Sequence, residues 1–158
     1  MGESPKANAD FVDLLSAFVE REVDFLIVGA FALAAHGLPR ATGDIDILVR
    51  PTAGNAELVH GALVAFGAPV GSHGVVPGDF TKEGTIYQLG LPPRRIDILT
   101  TISGVTFDEA AEHAIEGRIG TCTARFIGFD ALIRNKRESG RTKDIADAES
   151  LEARRPTS

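Results

Sequence analysis

The chain has 158 residues, 44% of them apolar, and a formal net charge of −6. A chain of that length fits one domain, burying roughly 70% of its unfolded surface, and leaves no room for a second catalytic or substrate domain. The acidic balance excludes a general binder of polyanions, so any phosphate site must be local. No apolar run can cross a bilayer, because even Phe25 to Leu38 is broken by Gly29, His36 and Gly37.

The opening Met-Gly-Glu-Ser-Pro-Lys has no signal pattern, which makes the expected location cytoplasmic, without membrane contact. In chain order, Ala9 to Arg21 reads as a helix whose apolar stripe is Phe11, Leu14, Leu15, Phe18 and Val19. Phe25 to Val28 is a short buried strand, Gly29 a tight turn, and the Ala-rich Ala30 to His36 a helix. Gly37 to Gly43 is a loop, Asp44 to Val49 a strand that Pro51 ends, and Asn55 to Phe66 a helix packing through Leu58, Ala62, Leu63 and Phe66. Gly67 to Gly78 is expected as a mobile loop near the site.

Thr85 to Leu91 and Arg95 to Thr100 read as adjacent strands joined at Pro92 and Pro93. A short helix is expected over Asp108 to Glu116, capped by Asp108, and one strand over Arg118 to Ile127. Asp130 caps a helix to about Glu138, Gly140 interrupts, and a last helix covers Thr142 to Glu152, followed by a frayed end from Arg155 to Ser158. The core therefore extends over about residues 9–152 of a single domain, 1–158. Cys122, the lone thiol, reads as a small buried hydrophobe without a catalytic role.

Asp44 and Asp46 point the same way from their strand while Ile45 and Ile47 turn into the core. At about 6.6 Å along the strand they repel by about 2 to 3 kcal/mol at an effective dielectric near 20, and a divalent cation reverses that sign. Hard carboxylate oxygens suit Mg²⁺, which completes its octahedron with waters and substrate phosphates and so points to a triphosphate. A solvated strand edge is the ordinary explanation of Asp-x-Asp, but here apolar Ile45, Ile47, Leu48 and Val49 surround the acids. Asp97 interrupts a second apolar strand, Arg95-Ile-Asp-Ile-Leu99, which suggests a shared site. Gly29, between strand and helix, lets a backbone approach a ligand. The residues of a dinucleotide-binding turn or a P-loop are missing.

Together these residues resemble the nucleotidyltransferases that share a fold with DNA polymerase β, in their small bacterial, minimal and toxin-associated members. The residues concerned are Val28-Gly-Ala30, Arg40-Ala-Thr-Gly-Asp-Ile-Asp46, Arg95-Ile-Asp97, Leu132-Ile-Arg-Asn-Lys136, Gly140-Arg-Thr-Lys-Asp144 and Asp147, spanning Phe25 to Leu151. The resemblance implies an α+β fold with a small mixed sheet flanked by helices and a C-terminal helical segment. It also implies transfer of a nucleoside monophosphate from a nucleoside triphosphate to a hydroxyl, with release of pyrophosphate. Asp44, Asp46 and Asp97 would be the catalytic, metal-ligating acids, with Mg²⁺ or Mn²⁺ as cofactor. Gly29 and the Ala30 amide would cradle the triphosphate with help from Arg40. Where the family usually has Gly or Ser, Ala30 keeps the amide but has no hydroxyl.

Lys136, Arg141 and Lys143 are further candidates to reach the triphosphate or a nucleic-acid acceptor, weighed against a solvated basic face that also carries Arg134 and Arg137. Asp144 and Asp147 read as structural partners of Arg141, His36 as a helix C-terminal residue, and Thr42 as a loop hydrogen-bonder that fixes Asp44. A haloacid dehalogenase-type phosphohydrolase fails because the apolar run follows the Asp pair instead of preceding it. A glycosyltransferase fails because only 43 residues precede Asp44. The alternative from another class is an inactive relative that binds nucleotide or a partner protein, an antitoxin among them. A tRNA end, a protein hydroxyl and an aminoglycoside-like molecule are all open as acceptors.

Overall fold

The computed structural model describes residues 9–40 and 43–155. Six strands form one mixed sheet in the order β3-β4-β2-β1-β6-β5. They are β1 (Phe25–Val28), β2 (Ile45–Val49), β3 (Ile86–Leu89), β4 (Ile96–Leu99), β5 (Ile115–Ile119) and β6 (Cys122–Phe126). Strands β1 and β2 pair antiparallel across α2, and β3 with β4 and β5 with β6 do so through shorter turns, whereas β2 with β4 and β1 with β6 are parallel and need crossovers. The α+β architecture expected from the sequence is the one observed.

Helix α1 (Ala9–Glu20) buries Phe11, Leu14, Leu15 and Phe18, with the Phe18 ring edge-on to Phe25 at 5.4 Å. Val19, assigned to that stripe, is instead 51% exposed, because the face turned to the sheet ends at Phe18. Helix α2 (Gly29–Ala35) follows β1 directly. Helix α3 (Ala53–Phe66) buries Asn55, Ala56, Val59, Ala62 and Leu63, so its inner face is rotated from the expected one and Leu58 lies largely outside. Asn55 sets that rotation: its Oδ1 accepts from the Asp24 amide at 2.7 Å, and its Nδ2 donates to the carbonyls of Asp24 and Arg50 at 3.0 and 2.9 Å.

The segment after α3, expected as a mobile loop near the site, is largely exposed and fastened to the core at a few points. Val70 and Phe80 are buried, and His60 Nε2 meets the Val75 carbonyl at 3.2 Å. His73 Nδ1 lies 2.8 Å from the Tyr87 hydroxyl, and a 3-10 turn closes Pro77–Thr81. Apolar Val70, Val75 and Phe80 are what fasten it.

Helix α4 covers only Phe107–Ala111, and its cap is Thr106, not Asp108. The Thr106 hydroxyl accepts from the Glu109 amide and the Glu109 carboxylate from the Thr106 amide, a reciprocal capping box. Asp108 instead meets Arg50 at 2.6 Å. The strand expected over Arg118 to Ile127 is a hairpin that turns at Gly120, where φ is +59°. Helix α5 (Phe129–Ser139) is capped by Gly128, with Asp130 in its first turn, and Gly140 at φ +73° separates it from α6 (Thr142–Ala153). Arg155, placed in the frayed end, is held by Asp130 at 2.7 Å; residues 156–158 and Met1 to Lys6 lie outside the described residues. Among the described residues no helix is long and apolar enough to cross a membrane.

Candidate active site

Alternation along β2 buries Ile45, Ile47 and Val49 on one face and leaves Asp46 on the other. The parallel pairing of β2 with β4 sets Asp46 directly beside Asp97. The two are partners in the ladder, and Asp97 is buried. Two carboxylates in contact cannot both ionise freely. Burial first, then the charge and hydrogen bond of Asp97 and the charge of Asp44, push the Asp46 carboxyl up to about 6, against a smaller opposing pull from Lys136.

Gly29 is where it is because of Asp46. It adopts φ +70°, and a Cβ there would lie 2.2 Å from Asp46 Oδ2, so the carboxylate rests on bare backbone. Gly43 meets a similar demand: its Cβ would strike the Pro93 carbonyl, which the β3–β4 turn presses against the approach to Asp44. Asp44 itself stands one residue before β2. Its Oδ1 accepts from the Arg95 amide at 2.9 Å, and its Oδ2 is 3.8 Å from Arg95 Nη2.

Arg95 went unnoticed among the sequence candidates, yet it is the cation of this site. Its Nε donates to Asp97 Oδ1 at 2.7 Å and its Nη2 to Asp97 Oδ2 at 3.2 Å. The signal was available, since Arg95 and Asp97 are i and i+2 on one strand, the same argument that joins Asp44 to Asp46. Gln88 was also missed: the β3–β4 register places it opposite Asp97 on the open edge strand, a pairing that no local pattern announces.

The expected phosphate-binding cations are engaged elsewhere. Arg40 pairs with Asp147 of α6. Lys136, its side chain only 13% exposed, is 3.2 Å from Asp144 Oδ1 and 3.9 Å from Asp147 Oδ2, and close enough to Asp46 to act on its charge. Asp144 also accepts from the Ser139 hydroxyl at 2.7 Å and from Arg141 at 3.1 Å. Burial raises the Asp144 carboxyl, but Ser139, Lys136 and Arg141 outweigh it and hold it below its ordinary value. Asp144 and Asp147 are thus partners of Arg141 as expected for the first, and of Lys136 and Arg40 besides. Lys143 is exposed on the first turn of α6, and Ala30 follows Gly29 in α2. His36 Nε2 meets the Ile127 carbonyl at 2.7 Å, a structural contact. Thr42 lies outside the described residues.

Among the described residues, no three His, Cys, Asp or Glu side chains stand gathered as a ready metal cage. The donor chemistry nevertheless fits a hard divalent cation: Asp46 and Asp97 are ladder partners that offer carboxylate oxygens alone, and burial with the neighbouring acids raises the Asp46 carboxyl. Asp44 is drawn aside by Arg95.

No family model matches the sequence, and no curated protein matches it. Solved structures do. The antibiotic-resistance factor ANT(2'')-Ia, in solution, is similar with a TM-score of 0.58 at 19% identity, over 92% of this chain and 82% of that one. Its crystal structure in complex with adenylyl-2''-tobramycin gives 0.53 at 18% identity, over 91% and 86%. TM1012 of Thermotoga maritima, assigned as a nucleotidyltransferase, gives 0.57 at 12% identity, over 92% and 91%. The chain has the nucleotidyltransferase fold.

Proposed function

We propose that the chain transfers a nucleoside monophosphate from a nucleoside triphosphate to a hydroxyl acceptor and releases pyrophosphate. The observation that carries this reading is the in-register contact of Asp46 with Asp97, laid against the bare backbone of Gly29. A fold that gained only stability from this strand pair would not set a half-buried acid beside a buried one.

Asp46 and Asp97 would hold a divalent cation, Mg²⁺ or Mn²⁺, joined by Asp44 once Arg95 lets it go. Such a cation would supply charge for the triphosphate and lower the pKa of a bound hydroxyl. The protein's own part is positioning. The amides of Gly29 and Ala30 face the triphosphate, while Lys136 and exposed Lys143 lend positive charge from α5 and α6. Arg40, tied to Asp147, holds the chain after α2 against α6. Asp97 takes the proton as the acceptor oxygen bonds to the α-phosphorus, and the bond from that phosphorus to the β-phosphate bridging oxygen breaks with pyrophosphate as leaving group. ANT(2'')-Ia has been captured with an adenylylated tobramycin, and the net charge of −6 favours a cationic acceptor over a polyanion. An aminoglycoside-like polyhydroxyl amine is therefore the first acceptor class, ahead of a tRNA end or a protein hydroxyl.

The test is incubation with each α-labelled nucleoside triphosphate, Mg²⁺ or Mn²⁺, and tobramycin, tRNA or a cell extract. Label should move with release of pyrophosphate, and Asp46→Asn and Asp97→Asn should each cut transfer roughly a hundredfold or more. Nucleotide binding without transfer to any acceptor would make this a binding module instead.

A further inference from the structure

We infer that Arg95 is the resident counter-ion of the acidic site, occupying the carboxylates in the metal-free protein, and that it must leave them before a divalent cation can bind. This rests on the metal reading of Asp44, Asp46 and Asp97.

The geometry is specific. The Arg95 guanidinium grips both oxygens of Asp97 at 2.7 and 3.2 Å and reaches Asp44 Oδ2 at 3.8 Å, while its own amide takes the other oxygen of Asp44. Asp46 also acts on its charge. One cationic group therefore faces all three acids, and it engages Asp97 through the planar fork that matches a carboxylate. Each oxygen it holds is an oxygen a metal would need. Both oxygens of Asp44 lie near Arg95, one on its amide and one on its guanidinium. The side chain is 29% exposed, with room to swing outward, whereas Lys136 is enclosed against Asp144 and Asp147.

A guanidinium that merely braced Asp97 would help metal binding, and its loss would weaken it. A resident counter-ion does the reverse. Arg95 thus acts as a positioning residue that lets the fold tolerate its acids without metal and lowers their affinity for it.

Mn²⁺ alone, without nucleotide, is the probe, followed by electron paramagnetic resonance titration of free Mn²⁺ and by thermal unfolding. Arg95→Met should bind Mn²⁺ about tenfold more tightly than the wild type, unfold at lower temperature without metal, and regain most of that loss when Mn²⁺ is added. Arg95→Lys, which keeps the charge but not the fork, should fall between and serves if Arg95→Met does not fold. Unchanged or weaker Mn²⁺ binding in these variants, with wild-type binding that Asp97→Asn abolishes, overturns the role of Arg95 and leaves the metal site standing. Absence of binding in the wild type and in the Arg95 variants alike overturns the metal site itself.

Discussion

Asp46 ionises in an unfolded chain near 3.8 and in the folded protein only near 6. Because the folded value is the higher, the contribution of Asp46 to stability is fully present below about pH 4 and is lost as pH rises through 6. The loss is bounded by about 3 kcal/mol, the free energy of such a shift. Asp46→Asn removes it. In the absence of divalent cation, the variant should gain stability over the wild type between pH 4.5 and pH 8, read from urea midpoints at the two values. A gain that is equal at both would mean that ionisation of Asp46 is not what costs the fold. Asp46 and Asp97 were legible because each interrupts an apolar strand, and Gly29 because it parts a strand from a helix. The pairing of Arg40 with Asp147 was not, since the partners lie 107 residues apart and no local period links them.

At the scale of elements, Asn55 has the largest leverage outside the site. It is a buried amide that satisfies three backbone groups, on Asp24 and Arg50, and so pins the start of α3 to the ends of β1 and β2. Asn55→Ala should cost about 2 to 4 kcal/mol, since it strands several buried donors and acceptors at once; chemical denaturation measures it, and a loss under 1 kcal/mol would show that water replaces the amide. The first three helices and the first four strands were legible from period and punctuation. The reading failed where a signal was short. Thr106-Phe-Asp-Glu109 carries a capping box, but the acid at Asp108 drew the helix start two residues late. At Gly120 and Thr121 a two-residue turn hides between two strands, so the hairpin passed as one strand. The rotated face of α3 came from Asn55, a polar residue that a search for apolar stripes leaves out.

Across the whole molecule, two charge networks divide the work. Asp44, Arg95, Asp97 and Asp46 lie along the β2–β4 seam, and Asp144, Asp147, Lys136 and Arg40 join the C-terminal helices to the loop before β2. Lys136 acts on both, through its ion pairs and through Asp46. The fold class was legible because strands and helices alternate at recognisable lengths. The strand order was not, since β6 joins β1 across the full length of the domain.

The β2–β4 seam has a kinetic meaning as well. Its two strands are separated in sequence by α3, the 3-10 turn and β3, so the seam closes only after a long loop has been ordered, a step that topology already makes slow. The arriving strand brings Asp97, with Arg95 two residues before it, against the half-buried Asp46. Ionisation therefore works as a brake on docking. The refolding limb of a chevron should be faster at pH 5 than at pH 8 for the wild type, and Asp46→Asn should refold at pH 8 at the rate the wild type reaches at pH 5; equal wild-type rates at both values would place the closing of the seam after the transition state. A divalent cation that binds both acids would release that brake, so its presence should set how soon β2 and β4 come together.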